Sequence, residues 1–152
     1  MQADQSSREF HFTQDDFLTI KDLIYKRAGI NLALSKRDMV YSRLSRRLRA
    51  NQLRTFQQYL ALLNDPKSHE QQEFINSLTT NLTSFFREAH HFDILKEFLK
   101  ERKTPVKIWC CAASTGEEPY SIAMACAEHY QSFRPPVEIW ASDLDTKVLA
   151  KA

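Results

Sequence analysis

Chemistry in this chain concentrates around a short run of small residues. Residues 106–110 (VKIWC) form an apolar, strand-like stretch that runs into the loop 112–116 (AASTG), and a second such stretch, 137–141 (VEIWA), ends in Ser142-Asp143. In a doubly wound sheet the ligand crevice lies beyond the strand C-termini. A loop of small residues there lets a nucleoside approach the backbone, and a strand-terminal acid accepts both hydroxyls of a ribose. Gly116 is one of two glycines in 152 residues, so its placement marks backbone that passes close to another group. The same residues also fit a plain structural loop with Asp143 as a helix cap.

The composition of the loop narrows the ligand. A dinucleotide site uses G-x-G-x-x-G so that a pyrophosphate can sit on the helix N-terminus. Here the glycines are mostly replaced, and Glu117 and Glu118 stand where the phosphate would bind. No G-x-x-x-x-G-K-[ST] run occurs. A nucleoside with positive charge and no phosphate suits these acids, and S-adenosylmethionine, carrying a sulfonium and an ammonium group, is the candidate. Ser114 and Ser121 lack the base and acid partners of a serine nucleophile.

Two further groups of residues invite a functional reading. Residues 35–50 (SKRDMVYSRLSRRLRA) carry an apolar stripe, Val40, Leu44 and Leu48, flanked by Lys36, Arg43 and Arg47, with Arg46 and Arg49 further round and Arg54 just beyond. Only Asp38 offsets these cations, so the helix fits either a solvated face or a dock for an acidic partner. An acidic protein helix and nucleic acid are both candidates, although the scarcity of aromatics beside the arginines argues against single-stranded nucleic acid. Residues 81–92 (NLTSFFREAHHF) offer Thr83 or Ser84 as a helix cap and Phe85, Phe86 and Phe92 for burial, which leaves Arg87 unexplained. His90 and His91 are adjacent and have no partner four residues on, so no metal site is expected.

Two kinds of structure must position these residues. From residue 13 to about 99 apolar residues recur three or four apart with almost no glycine, which predicts a small helical domain. Thr13-Gln14-Asp15-Asp16 starts its first helix and Gly29 ends it. Further helices are expected over 35–50, from 55 to the stop at Asp65-Pro66, over 69–79, and from about 85 to 102. At Thr104-Pro105 helical spacing gives way to strand 106–110, a helix from 117 to about 130, the Pro135-Pro136 break, strand 137–141 and a helix from about 146. Thr115 is the expected cap of the 117–130 helix, with Pro119 tolerated in its first turn.

The chain is thus α+β overall: residues 1–80 a helical domain, 81–104 a linking helix, and 105–152 the first βαβ part of a doubly wound α/β domain. Two strands are fewer than a parallel sheet normally uses, so this second domain reads as cut short.

The composition, 43% hydrophobic and 26% charged, is that of a globular protein. No apolar run nears the ~20 residues that cross a bilayer, and the start MQADQSSREF lacks the marks of a secretion signal, so the expected location is the cytoplasm. Cys110, Cys111 and Cys126 are an odd set with an adjacent pair, which fits buried thiols better than disulfides or zinc ligands. A formal charge of +2 implies no nucleic-acid partner by itself.

The strings KRDMVYSRLSRRLR, INSLTTNLTSFFREAHHF, ASTGEEPYSIAMA and ASDLDT, in that order, resemble the CheR family, bacterial chemotaxis receptor methyltransferases that use S-adenosylmethionine to methylate glutamate side chains of chemoreceptors. The resemblance runs from about residue 15 to 152 and implies a helical domain before a doubly wound, Rossmann-like methyltransferase domain. It implies that Asn81, Thr83 and Arg87 face the cofactor, with Arg87 the catalytic residue near the transferring methyl. It also implies that an acid of GEEP, Glu118 ahead of Glu117, binds the cofactor, and that Asp143 binds its ribose. Arg43, Arg46, Arg47 and Arg49 would dock on the acidic chemoreceptor helices. The expected protein is a monomer that needs no metal, binds no nucleic acid and does not insert into a membrane.

A glutamate side chain, with pKa ~4.3, is already an anion at neutral pH, so its methylation needs desolvation and in-line alignment rather than a general base. Family members continue past the length of this chain. The expectation is therefore a partly built cofactor site and weak or no binding of S-adenosylmethionine by the isolated chain, which micromolar binding in calorimetry would overturn. One alternative is a non-catalytic receptor-docking module that uses the basic helix 36–54. Another, a nucleotide-dependent oxidoreductase, is disfavoured by the missing glycine fingerprint.

Overall fold

A computed structural model describes residues 8–102 and 105–152. The chain divides into two compact units, one ending at Thr79 and the other beginning at Thr80. The change of character expected at Thr104-Pro105 falls beside Lys103 and Thr104, which lie outside the described residues.

In the first unit, α1 (Gln14–Ala28) opens on a capping box. The Thr13 hydroxyl accepts from the Asp16 N–H at 3.0 Å, and the Asp16 carboxylate accepts from the Thr13 N–H at 2.9 Å. Two amides that a helix start would leave unbonded are thereby satisfied. Gly29 ends the helix at φ 68°, its N–H on the carbonyl of Tyr25. A 3-10 turn at Leu34–Lys36 precedes α2 (Arg37–Ala50), followed by α3 (Phe56–Asn64), which has its own Thr55–Gln58 capping box, and α4 (Glu70–Leu78). The stripe expected on α2, Val40, Leu44 and Leu48, is fully buried and meets Phe17, Phe56 and Phe74.

One ionic group is built into this core. Arg47 gives Glu70 two hydrogen bonds of 2.7 Å and reaches Glu73 at 3.1 Å, while the Tyr59 hydroxyl donates to Glu70 at 2.9 Å. Burial alone would push the Glu70 carboxyl up. Hydrogen bonds from Arg47, Asn51 and Tyr59 outweigh it and hold the group below the usual carboxylate range. Burial pushes the Tyr59 hydroxyl up, with the Glu70 charge adding to it.

The second unit is a βαβ crossover preceded by a helix. Strand β1 (Val106–Cys110) runs parallel to β2 (Val137–Ala141), Val106 opposite Val137 and Cys110 opposite Ala141, with α6 (Glu117–Tyr130) between them in sequence. Alternation along β1 sends Val106, Ile108 and Cys110 to one face, where they join Leu99 of α5 (His90–Lys100) and Cys126 of α6 in a second core. Trp109 and Trp140, opposite each other in register, are largely exposed. A last short helix, α7 (Thr146–Leu149), is capped by Asp145.

Three local expectations need correction. The helix expected from about residue 85 begins at His90, because Phe86 and Glu88 hold φ of 52° and 53°, a conformation a right-handed helix cannot contain. The turn is pinned where the Phe86 N–H donates to Ser121 Oγ at 3.0 Å, and it leaves Phe85 and Phe86 exposed, with Phe92 alone of the three buried. Cys111 is exposed because β1 ends one residue before it, whereas Cys110 and Cys126 are buried as expected. Thr115 does not cap α6. Gly116 holds the cap position without a side-chain bond, and the Thr115 hydroxyl donates to Glu117 at 2.6 Å.

Candidate cofactor site

Two loops leave the C-terminal ends of the paired strands, and Asp143 ties them together. Its Oδ2 accepts from the Ser114 N–H at 2.8 Å and its Oδ1 from the Asp145 N–H at 2.8 Å. Ser114 is buried at φ 48°, a left-handed conformation that a serine adopts only when its surroundings hold it. The segment after Thr80 joins the same group. Ser114 Oγ donates to the Asn81 carbonyl at 3.2 Å, and Asn81 Nδ2 donates to Asp145 Oδ2 at 2.6 Å. Asn81, Ser114, Asp143 and Asp145 thus form a closed ring of hydrogen bonds.

Beside this ring lies a cavity of about 470 Å³. Asn81, Thr83, Arg87, Glu118 and Asp143, the five residues singled out as cofactor contacts, all line it, with Ser114 and Ala112 from the loop and an apolar side that includes Phe92 and Ile108. Arg87 Nη1 donates to the Leu82 carbonyl at 2.7 Å, which fixes the guanidinium over its own turn. Glu117 is held by Thr115, while Glu118 is on the cavity wall. Burial, reinforced by the Glu118 charge, pushes the Cys110 thiol up, so this cysteine is a packed thiol rather than a nucleophile.

Gly116 answers a different need from the one its rarity suggested. A Cβ there would come within 3.2 Å of Tyr120 Cε2 and 3.3 Å of Ala152, and φ is 101°. The close neighbour is the chain itself, and the loop meets the cavity through Ala112 and Ser114.

The wall suits a particular ligand. Asp143, Glu118 and Asn81 offer acceptors, and the one arginine on it is bonded to a backbone carbonyl. Each Asp143 oxygen accepts a single N–H and keeps a lone pair for a hydroxyl. Such a set fits a hydroxyl-bearing, cationic nucleoside and disfavours a polyphosphate. Among the described residues no group of three His, Cys, Asp or Glu side chains could hold a metal ion, and no helix is long and apolar enough to cross a membrane.

The four α2 arginines expected to dock on a receptor are distributed unevenly. Arg43 donates to the carbonyls of Thr79 at 2.7 Å and Ser77 at 3.4 Å, and Arg47 is committed to Glu70 and Glu73. Arg49 pairs with Glu9 at 2.8 Å on the surface. Arg46 is exposed and has no partner among the described residues.

Asp145 is not among the residues expected at the site. The helix cap that was the alternative reading of Asp143 falls to Asp145, which accepts from the Lys147 and Val148 N–H groups, while Asp143 binds back to the first loop. The available signal was the pair of acids two apart after β2, since a strand-end acid and a helix-cap acid are separate needs.

A helical unit followed by a strand, loop, helix and strand, with acceptors around a cavity at the strand ends, defines an α/β protein of the nucleoside-cofactor class with a helical domain before it. Residues 15–79 match the family described as "CheR methyltransferase, all-alpha domain", and residues 81–152 match "CheR methyltransferase, SAM binding domain". The chain belongs to the CheR methyltransferase family, whose co-substrate is S-adenosylmethionine. It is 53% identical over 146 residues to chemotaxis protein methyltransferase 2 of Pseudomonas aeruginosa, covering 94% of this chain and 52% of that protein. It is 52% identical over 149 residues to the chemotaxis protein methyltransferases of Klebsiella aerogenes and Escherichia coli, covering 97% of this chain and 51% and 52% of theirs. The chain therefore spans about half the length of these curated relatives.

Proposed function

We propose that this chain serves, in the cytoplasm, the transfer of methyl groups from S-adenosylmethionine to glutamate carboxylates of chemoreceptors, forming glutamate methyl esters. The observation that carries this reading is the convergence of Asn81, Thr83, Arg87, Glu118 and Asp143 on one cavity at the ends of two parallel strands. When bound, S-adenosylmethionine supplies an electrophilic methyl group on sulfur. Asp143 accepts from the ribose hydroxyls with the lone pairs left by its two backbone bonds. Glu118 and Asn81 add acceptors for the cationic part, and Thr83 packs beside them. Arg87, fixed by the Leu82 carbonyl, turns its remaining N–H groups toward the incoming carboxylate and aligns it. That carboxylate is ionised at neutral pH, so its methylation needs no general base.

Receptor docking falls to the basic helix α2. Arg46 is the cation best placed to meet an acidic receptor helix, with Arg49 available by exchange of its exposed pair with Glu9. A docking module without catalysis would use the same surface and leave the cavity idle. The discriminating experiment offers methyl-labelled S-adenosylmethionine and receptor membranes to this chain and to the chain extended by its natural continuation. Base-labile label on the receptor, lost with Asp143→Ala, is the expected result. Receptor binding with no label from either protein would overturn the catalytic reading and leave the docking one.

A further inference from the structure

Asp145 is buried, with 3% of its surface exposed, and the mechanism above gives it no task. Its carboxylate accepts the Lys147 and Val148 N–H groups on Oδ1 and Asn81 Nδ2 on Oδ2 at 2.6 Å. Capping a four-residue helix would require only the first two bonds. The third decides which way the Asn81 amide faces. An ionised carboxylate only accepts, so the atom of Asn81 turned to Asp145 must be the NH₂ group. The carbonyl oxygen Oδ1 is then the polar atom left over, and it has no hydrogen-bond partner among the described residues. Asn81 lines the cavity.

We propose that Asp145 is a positioning residue that sets the polarity of the cavity at Asn81, so that the ligand meets an acceptor there and is selected for a donor group, an ammonium or a hydroxyl. This rests on the reading of the cavity as the S-adenosylmethionine site. Left free, an asparagine can present either end, and half of its orientations would offer N–H groups to a cation. The ring through Ser114 and Asp143 extends the effect, because the Asp145 N–H is itself held by the acid assigned to the ribose. One buried carboxylate therefore fixes the Asn81 amide directly and shares a bond with Asp143.

The test separates positioning from capping. Serine caps a helix about as well as aspartate, but its single oxygen cannot serve the helix amides and Asn81 together. Asp145→Ser is expected to melt close to the unaltered chain, to lose the slow exchange of the Asn81 side-chain NH₂ protons in NMR, and to bind S-adenosylmethionine roughly tenfold or more weakly in an NMR titration. The reciprocal pair Asn81→Asp with Asp145→Asn restores a bond between the two positions with an acceptor still facing the cavity, and should recover the affinity. An Asn81 amide that stays protected and an affinity that stays unchanged in Asp145→Ser would overturn the proposal. Should Asp145→Ser not fold, a folded reciprocal pair that fails to bind overturns it equally. If the unaltered chain shows no binding, NH₂ exchange alone decides the positioning role: protection lost in Asp145→Ser supports it, protection retained refutes it.

Discussion

The carboxylate of Asp143 accepts the backbone N–H of Ser114 at 2.8 Å, joining the end of the second strand to the loop after the first. Its other oxygen takes the Asp145 N–H. Asp143→Ala strips a charged acceptor from both amides, so the cost is expected to reach about 2–3 kcal/mol in stability. It should also abolish response to S-adenosylmethionine. Denaturant unfolding and a ligand titration on the same variant check the two effects, and Asp143→Asn should retain more stability than alanine because it keeps one acceptor.

Gly116 should tolerate no side chain. Gly116→Ala meets Tyr120 and Ala152 at 3.2 and 3.3 Å and forces an L-residue to φ 101°. A loss of about 1–3 kcal/mol is expected by thermal or denaturant melting of the α/β unit.

Acid should weaken the helical unit through Glu70. Its folded carboxyl is held below its value in the unfolded chain, so it contributes stability above the unfolded pKa of ~4.3 and loses it as pH falls through the folded pKa. Glu70→Gln removes this dependence and costs on the order of 2–3 kcal/mol near neutral pH, below the range for a fully buried pair because Arg47 is partly solvated. Unfolding midpoints of both proteins between pH 3 and 7, in steps of about half a unit, are the check.

Charge reversal along α2 should sort its arginines into two kinds. Arg46→Glu is expected to leave stability within about 0.5 kcal/mol and to weaken binding to receptor membranes, with the difference shrinking at high salt. Arg47→Glu should unfold the unit, since it sets a third acid against Glu70 and Glu73. Circular dichroism and co-sedimentation separate the two outcomes.

Alkylation should distinguish the cysteines by exposure. Cys111 is expected to react first with iodoacetamide, whereas burial shields Cys110 and Cys126 and pushes both thiols up. Peptide mass spectrometry along a time course reads the order.

Much of this fold was legible in local chemistry. Thr13 with Asp16 and Thr55 with Gln58 announce helix starts, Gly29 a helix end, and β1, α6 and β2 fall where their apolar spacing and the Pro135-Pro136 break indicate. What escaped depends on partners distant in sequence. The turn at Phe86 is held by Ser121, Arg43 is taken by the carbonyls of Ser77 and Thr79, and Asp145 is defined by Asn81, and no periodicity encodes such pairings. The residues that the family resemblance implied, Asn81, Thr83, Arg87, Glu118 and Asp143, line one cavity, while the ring of hydrogen bonds beside it is carried by no motif.

The most direct test of the cofactor site is an NMR titration of the isotope-labelled chain with S-adenosylmethionine. The predicted result is a set of shifts centred on Ala112, Ser114, Asn81, Glu118 and Asp143, saturating weakly. Shifts at millimolar ligand that are confined to the helical unit and spare these five residues would contradict the account.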